Sequence, residues 1–307
     1  MILRLHHATL RVRDAEEARK RWSILHGLSG EGDRERALLR CAYEDFALEL
    51  RRSDTAPGLE HVGYELRSGI SLEEAAAHLR DVGEEPEPVE VPVRGEGLRL
   101  ADPDGNFVVL LERVLPAERK PAVARFTDEL PAYHPRRLQH VNYLTADVPR
   151  IAEWYERVLG LRVSDWVGDG AVWMHADRDH HVIAFLDKGY SHIHHLAFEL
   201  ADWGEMRVAL DHLAQHRHPI AWGPGRHTMA QNLFAYCRMV EEELFVELFA
   251  DMEQLEPDHE PRFFADDPHG ANAWGILPPR SYFRFDAEAI AAEREQLEAL
   301  QGLPDTG

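Results

Sequence analysis

Cysteine is almost missing from this chain: Cys41 and Cys237 are the two among 307 residues. Two thiols cannot build a disulfide framework, and they fit a reducing cytoplasm. Long apolar runs are missing too, since no stretch reaches the roughly 18 residues that a membrane-crossing helix needs. Met1 to Leu5 enters a strand-like pattern directly, without a signal-peptide pattern, which again predicts a cytoplasmic protein. Basic residues are scarce: 34 Lys and Arg face 55 Asp and Glu, a formal charge of −21. Such a chain repels phosphate backbones, so nucleic acid is not an expected partner. What is present is ordinary globular material, 44% hydrophobic and 29% charged, long enough to predict two domains.

The division into two is written in the sequence as a repeat. Leu5-His6-His7-Ala8-Thr9-Leu10-Arg11-Val12-Arg13-Asp14 aligns without a gap on Leu138-Gln139-His140-Val141-Asn142-Tyr143-Leu144-Thr145-Ala146-Asp147. The offset of 133 residues continues to Gly27-Leu28 and Gly160-Leu161. His61-Val62-Gly63-Tyr64-Glu65-Leu66 matches His195-Leu196-Ala197-Phe198-Glu199-Leu200 at an offset of 134. Each opening strand alternates apolar and polar residues, Asp14 and Asp147 stand as helix N-caps, and Gly27 and Gly160 close the helices. Hairpin strands are expected over 36–50 and 171–186, and second helices over 71–82 and 202–216. The pattern predicts an α+β protein in which a βαβββ module is written four times. Residues 1–115 and 137–250 form the two expected domains. The proline-rich stretch 116–136, with Pro116, Pro121, Pro131 and Pro135, is the expected linker. The tail 251–307 ends in a charged helix over 286–300 and is expected to cover the site or an interface.

One residue breaks the apolar logic. Leu244-Phe245-Val246-Glu247-Leu248-Phe249 is a strand whose glutamate has only apolar neighbours. The matching strand of the first copy, Phe107-Val108-Val109-Leu110, carries Val109 there. An unpaired carboxylate in that setting costs several kcal/mol or more, so Glu247 requires a cationic partner. His140 and His195 occupy matching strand starts in the same half, and the three together predict a metal site. Two imidazoles and one carboxylate suit a first-row metal and leave three positions open, whereas a structural zinc site closes with four ligands.

At this point the chain resembles the extradiol catechol dioxygenases of the vicinal oxygen chelate superfamily, across both halves and most closely over about 138–283. The resemblance is carried by Gln139-His140-Val141-Asn142, Trp173-Met174-His175, His194-His195-Leu196-Ala197-Phe198, Gly223-Pro224-Gly225-Arg226-His227 and Phe245-Val246-Glu247. It implies two domains with open, barrel-like mixed sheets, the first a degenerate, metal-free copy. It also implies Fe(II), with Mn(II) as the alternative, held by His140, His195 and Glu247, and a catechol and O2 as reactants. His181 matches the family histidine that faces dioxygen and one catechol hydroxyl. His227 and Tyr236 match residues that hydrogen-bond the substrate, and Asn142 and Trp173 match an oxygen-site asparagine and a substrate-packing tryptophan. The homo-oligomer expected from the same likeness is a tetramer.

The departures bear on substrate. The branch that cleaves homoprotocatechuate grips its substrate carboxylate with arginines; here those places hold Trp222, and Gly270 and Ala271 if Trp274 is aligned. With the anion clamp missing, a neutral or hydrophobic catechol is expected, packed by Trp173, Trp222 and Trp274, while Arg280 is the residue that would restore a positive group. The turn before Glu247, Val240-Glu241-Glu242-Glu243, is one residue longer than the family turn. The rival readings are a glyoxalase-like lyase or isomerase that uses a metal without O2, and a metal-free protein that binds an aromatic compound.

Overall fold

A computed structural model describes residues 1–114, 133–267 and 270–302. Most of the proline-rich stretch, including Pro116, Pro121 and Pro131, lies outside the described residues. The first module comprises β1 (Ile2–Val12), α1 (Ala15–His26), β2 (Ser29–Gly32), β3 (Arg36–Arg40) and β4 (Leu48–Arg52). The second comprises β5 (Gly58–Leu66), α2 (Leu72–Asp81), β6 (Glu87–Val91), β7 (Gly95–Ala101) and β8 (Phe107–Leu111). The third is β9 (Leu138–Thr145), α3 (Val148–Trp154), β10 (Arg162–Val167), β11 (Ala171–His175) and β12 (Ile183–Asp187). The fourth is β13 (His192–Glu199), α4 (Trp203–Gln215), β14 (Ile220–Arg226), β15 (Leu233–Met239) and β16 (Leu244–Ala250).

The caps explain where the helices begin and end. Asp14 accepts from the backbone N–H of Glu16 and Glu17, and Asp147 from that of Arg150, each satisfying donors that the first turn leaves free. Gly27 and Gly160 close them in the left-handed region at φ 66° and 69°. One detail differs from the expected even helix: α3 widens into a π-turn over Tyr155–Leu159. That turn carries Tyr155 inward, where its hydroxyl donates to Asp102 Oδ2 at 3.2 Å.

Within each module the first strand pairs parallel to the last, and the last three form a meander. Modules then join in pairs through their first strands, β1 antiparallel to β5 and β9 antiparallel to β13. The result is two mixed, curled sheets. The first has eight strands in the order β2-β3-β4-β1-β5-β8-β7-β6. The second has nine, β14-β15-β16-β13-β9-β12-β11-β10-β17, where β17 (Arg262–Phe264) comes from the tail and runs parallel to β10. The tail closes with α5 (Ala287–Gln301). No helix among the described residues is long and apolar enough to cross a membrane.

Burial follows from position in the sheet. Every residue of β9 and of β16, both interior strands of the second sheet, is buried, so both faces of these strands are covered. The main apolar core runs between the sheets and helices through Trp22, Tyr64, Tyr143, Tyr155 and Phe198, and a second cluster around Trp222, Phe234, Phe245 and Tyr282 lies beside it. Aromatic residues buried to this extent contribute about 2–3 kcal/mol each, so the inner face of β9, β13 and β16 is held rigidly. That packing fixes the polar side chains carried on the same strands.

Candidate metal centre

Register decides which side chains meet. In the second sheet Ala197 pairs with both His140 and Glu247, and Tyr236 also pairs with Glu247. The longer turn before β16 is absorbed by Glu243, which sits at φ 55°, so the expected strand register of Glu247 is kept. His140 Nε2 lies 2.9 Å and His195 Nε2 3.2 Å from Glu247 Oε2, and all three residues are buried. Among the described residues this is the group whose three His, Cys, Asp or Glu ligand atoms fall within 4.8 Å of one another.

The hydrogen bonds behind these groups settle where the protons are. Gln139 Nε2 donates to Asp179 Oδ2 and to the His181 carbonyl, so Gln139 Oε1 must accept from His140 Nδ1–H at 2.7 Å. His194 Nε2–H donates to the Tyr282 carbonyl at 2.9 Å, which leaves His194 Nδ1 to accept from His195 Nδ1–H at 2.8 Å. Burial pushes the pKa of His194 well below the usual imidazole range, and that of His195 down to about 4, which keeps both rings neutral. Each ligand imidazole therefore presents a bare Nε2 lone pair. Burial acts to raise the Glu247 pKa, yet the imidazoles that face it hold the group well below the usual carboxylate range, so it too is ionised. Three lone-pair acceptors thus converge with no proton to share. Ligand atoms about 2.1 Å from a metal and cis to one another stand about 3 Å apart, so the donor set fits a divalent cation.

The first sheet shows what the same frame does without the carboxylate. Gly63 pairs with Val109 just as Ala197 pairs with Glu247. His7 Nε2 lies 3.3 Å from His61 Nε2. Thr9 donates to Glu49 Oε2, so its oxygen accepts from His61 Nε2–H at 3.0 Å, and that proton also faces His7. The His7 ring fills the space over Gly63, where an added Cβ would lie 2.1 Å from it. Phe46, at the place His181 takes in the second half, packs against His7 with ring centroids 4.7 Å apart. Here a proton satisfies the histidines, and no cation is required.

Around the second-half cluster lies a cavity of about 810 Å³. His181, Asn142, Trp173, Trp222, His227 and Tyr236 all line it. The His181 ring lies tilted against His140 at a centroid distance of 4.2 Å, and burial lowers its pKa well below the usual range. His227 Nδ1–H donates to the Ala271 carbonyl at 2.8 Å, so its Nε2 accepts from the Tyr236 hydroxyl at 3.0 Å. Asn142 Oδ1 is buried without a hydrogen-bond partner among the described residues, an acceptor open to a ligand hydroxyl. Trp222 lies parallel to Tyr236, 5.6 Å apart at 13°, with its Nε1 donating to Ile276 O.

Two expected substrate residues are not brought to the cavity. Trp274 is 50% exposed and stands edge-on to Trp203, and Arg280 is exposed on a short 3-10 turn, Arg280–Phe283. That turn puts Tyr282 inward instead, against His194, Trp222 and Tyr236. Arg238 pins the turn by donating to the carbonyls of Ser281 and Arg284 and by pairing with Glu293 of α5. Asn232 was also not anticipated: its Nδ2 donates to Glu247 Oε1 at 3.1 Å from the start of β15. Replacing Asn232 with leucine should leave the fold intact and lower metal affinity about 10-fold, read by competition with a chelating dye, because the carboxylate loses the donor that orients it.

Comparison with known proteins agrees with this geometry. Residues 137–251 match the sequence profile of the Glyoxalase/Bleomycin resistance protein/Dioxygenase superfamily. The chain is 32% identical over 164 residues to Metapyrocatechase 2 of Cupriavidus necator, which is 48% of this chain and 51% of that protein. It is 27% identical over 221 residues to the manganese-dependent 2,3-dihydroxybiphenyl 1,2-dioxygenase of Geobacillus genomosp. 3, covering 66% and 70%. The first of these matches therefore spans about half of the relative's length. Among solved structures, homoprotocatechuate 2,3-dioxygenase from Brevibacterium fuscum with 3,4-dihydroxyphenylacetate superposes at a TM-score of 0.81 and 24% identity, over 92% of this chain and 91% of that one. The Mn(II)-bound glyoxalase from Novosphingobium aromaticivorans superposes at 0.78 and 24%, over 90% and 91%. These structures share the fold of tandem βαβββ modules. Residues 137–251 are accordingly a domain of the Glyoxalase/Bleomycin resistance protein/Dioxygenase superfamily.

Proposed function

We propose that the protein is an extradiol ring-cleaving dioxygenase, which opens a catechol next to its diol and inserts both atoms of O2. The observation that carries this reading is the set of three converging acceptors, His140 Nε2, His195 Nε2 and Glu247 Oε2, beside His181, Asn142 and the His227–Tyr236 pair in one cavity. The two curated relatives support it by name. Fe(II) or Mn(II) on those three ligands would supply Lewis acidity and hold catechol and dioxygen together in the open positions. The first half, with its proton-bridged histidines, acts as a metal-free copy.

The chain's own groups divide the remaining work. His181, neutral and buried, can take the proton of a catechol hydroxyl and return it as the ring opens. Asn142 Oδ1 can accept from a hydroxyl of the bound diol. Tyr236, whose proton points at His227 Nε2, can accept from a hydroxyl of the bound diol, and Trp173 and Trp222 pack its ring.

The substrate proposed is a neutral or hydrophobic substituted catechol. Trp222, Gly270 and Ala271 stand at the cavity wall, and Met229, Leu277 and Phe283 extend it with apolar surface. Lys188 is the only lysine or arginine among the described lining residues; it lies 4.4 Å over the Phe283 ring and shares the lining with Asp187, Asp266 and Asp267. A substrate carboxylate would be desolvated among carboxylates. Turnover followed by the visible absorbance of a ring-opened product should favour phenyl- or alkyl-substituted catechols over carboxylated ones by about 30-fold or more in kcat/KM, equivalent to about 2 kcal/mol of transition-state discrimination. The Trp222→Arg variant should narrow that ratio. A carboxylated catechol preferred by the unmodified protein would overturn the substrate assignment.

A lyase or isomerase of the same superfamily is the second reading, favoured by the fold shared with the Mn(II)-bound glyoxalase. Such sites draw on further carboxylate ligands, whereas the cluster here has three protein ligands among the described residues. The dioxygenase reading includes a cytoplasmic homotetramer. Two buried free thiols are consistent with a reducing compartment, and Phe263, Ile276 and Leu277 offer exposed apolar surface for subunit contacts.

A further inference from the structure

A common device stands behind the inner histidines of both sheets. In four of them the Nδ1 of the inner ring meets the side chain of the residue just before it, at 3.0 Å for His7, 2.7 Å for His140, 3.2 Å for His181 and 2.8 Å for His195. The preceding side chain is itself anchored at its far end. For His140 the anchor is Asp179, reached by Gln139 Nε2 at 3.1 Å and paired with Arg137 at 2.8 Å. For His181 the anchor is Asp165, whose Oδ2 lies 2.8 Å from His180 Nε2 and whose two oxygens meet Arg262 at 2.6 and 3.0 Å. His180 and Asp165 are fully buried. Arg262 belongs to β17, outside residues 137–251, and reaches Asp165 because β17 lies parallel to β10 with these two residues in register.

The proton placement follows from the donors and acceptors. Asp165, bonded twice by Arg262, is a carboxylate and can only accept, so His180 carries its proton on Nε2. His180 Nδ1 is then an acceptor for His181 Nδ1–H, and the opposite nitrogen of His181, Nε2, is left as a lone pair at the cavity. Gln139 does the same for His140 through its amide oxygen.

We propose that His180, Asp165 and Arg262 are positioning residues that fix the tautomer and aim of His181, so that it meets its ligand as a hydrogen-bond acceptor through Nε2. The consequence for turnover rests on the dioxygenase reading; the tautomer itself does not.

The test combines two readouts on the intact chain. With the metal site filled by diamagnetic Zn(II) and the histidine rings labelled with 15N, long-range 1H–15N correlations report which nitrogen of His181 is protonated. Steady-state kinetics with the Fe(II)-loaded protein and a neutral catechol report kcat and KM separately. In the unmodified protein His181 should be protonated at Nδ1. Asp165→Asn turns a donor amide toward His180 Nε2 and should move the His181 proton to Nε2, with kcat lowered about 10- to 100-fold, KM changed less than about 3-fold and metal content unchanged. His180→Gln reproduces the Gln139 arrangement and should keep the Nδ1–H form and kcat within about 3-fold, whereas His180→Leu should lose both. Should Asp165→Asn not fold, Arg262→Gln, at a side chain 38% exposed, serves in its place, with a loss of about 3- to 10-fold confined to kcat.

An unchanged His181 tautomer in Asp165→Asn, or equal losses in His180→Gln and His180→Leu, would overturn the proposal. If the unmodified protein cleaves no catechol yet the tautomer inverts in Asp165→Asn, the dioxygenase reading fails and the positioning role stands.

Discussion

Glu247→Gln will cost the protein its metal and its turnover while leaving the fold in place. Glutamine is nearly isosteric with glutamate, so the apolar neighbours on β16 stay packed. The amide loses the negative charge that attracts a cation and gains two N–H donors. Those donors face His140 Nε2 and His195 Nε2, 2.9 and 3.2 Å from Glu247 Oε2, and can satisfy both lone pairs without any ion. The melting temperature of the metal-free variant should therefore equal or exceed that of the metal-free unmodified protein. Metal affinity should fall by more than about 100-fold, since losing even an outer orienting partner costs about 10- to 100-fold. Turnover should fall by more than about 1000-fold. Titration with a competing chelator, alongside thermal unfolding, checks the two halves of the expectation separately. A variant that holds metal as tightly as the unmodified protein would remove Glu247 from the ligand set.

His181→Phe should produce the second large effect with the opposite signature. The first sheet already shows that a phenyl ring fits this place in the frame, because Phe46 occupies it against His7. Folding and metal content should thus be unchanged, and the ligand rings of His140 and His195 remain held by Gln139 and His194. What disappears is the buried acceptor at the cavity. Loss of a general acid–base group costs about 10²- to 10⁴-fold, and the loss should appear in kcat at saturating catechol. Full activity with normal metal content would show that proton transfer in this cavity runs through another group, with His227 and Tyr236 the nearest alternatives.

Much of this is legible in the sequence. The alternation of β1 and β9, the aspartate caps and the glycines at 27 and 160 announced the module, since each is a local rule of backbone and side chain. Glu247 was legible because a carboxylate on an apolar strand has no structural reason to be there, and Val109 in the first copy supplied the comparison. The relations that escaped are those between distant positions. Asp165 and Arg262 are 97 residues apart in the chain and meet only because β17 joins the sheet at its far edge. Asn232 is an ordinary polar residue until β15 sets it beside Glu247. The tail misled the sequence reading over Trp274 and Arg280, because an irregular segment has no periodicity to reveal its inner side. Its anchoring by Arg238, which turns Tyr282 inward, is a tertiary fact.

Extradiol cleavage is tested most directly by oxygen consumption by the Fe(II)-loaded protein given a limiting amount of a neutral substituted catechol, with the product identified by mass and absorbance. One O2 should be consumed per catechol, with a yellow product opened beside the diol, and neither should be seen in Glu247→Gln. Catechol left intact by metal-loaded protein, or a product opened between the two hydroxyls, would contradict it.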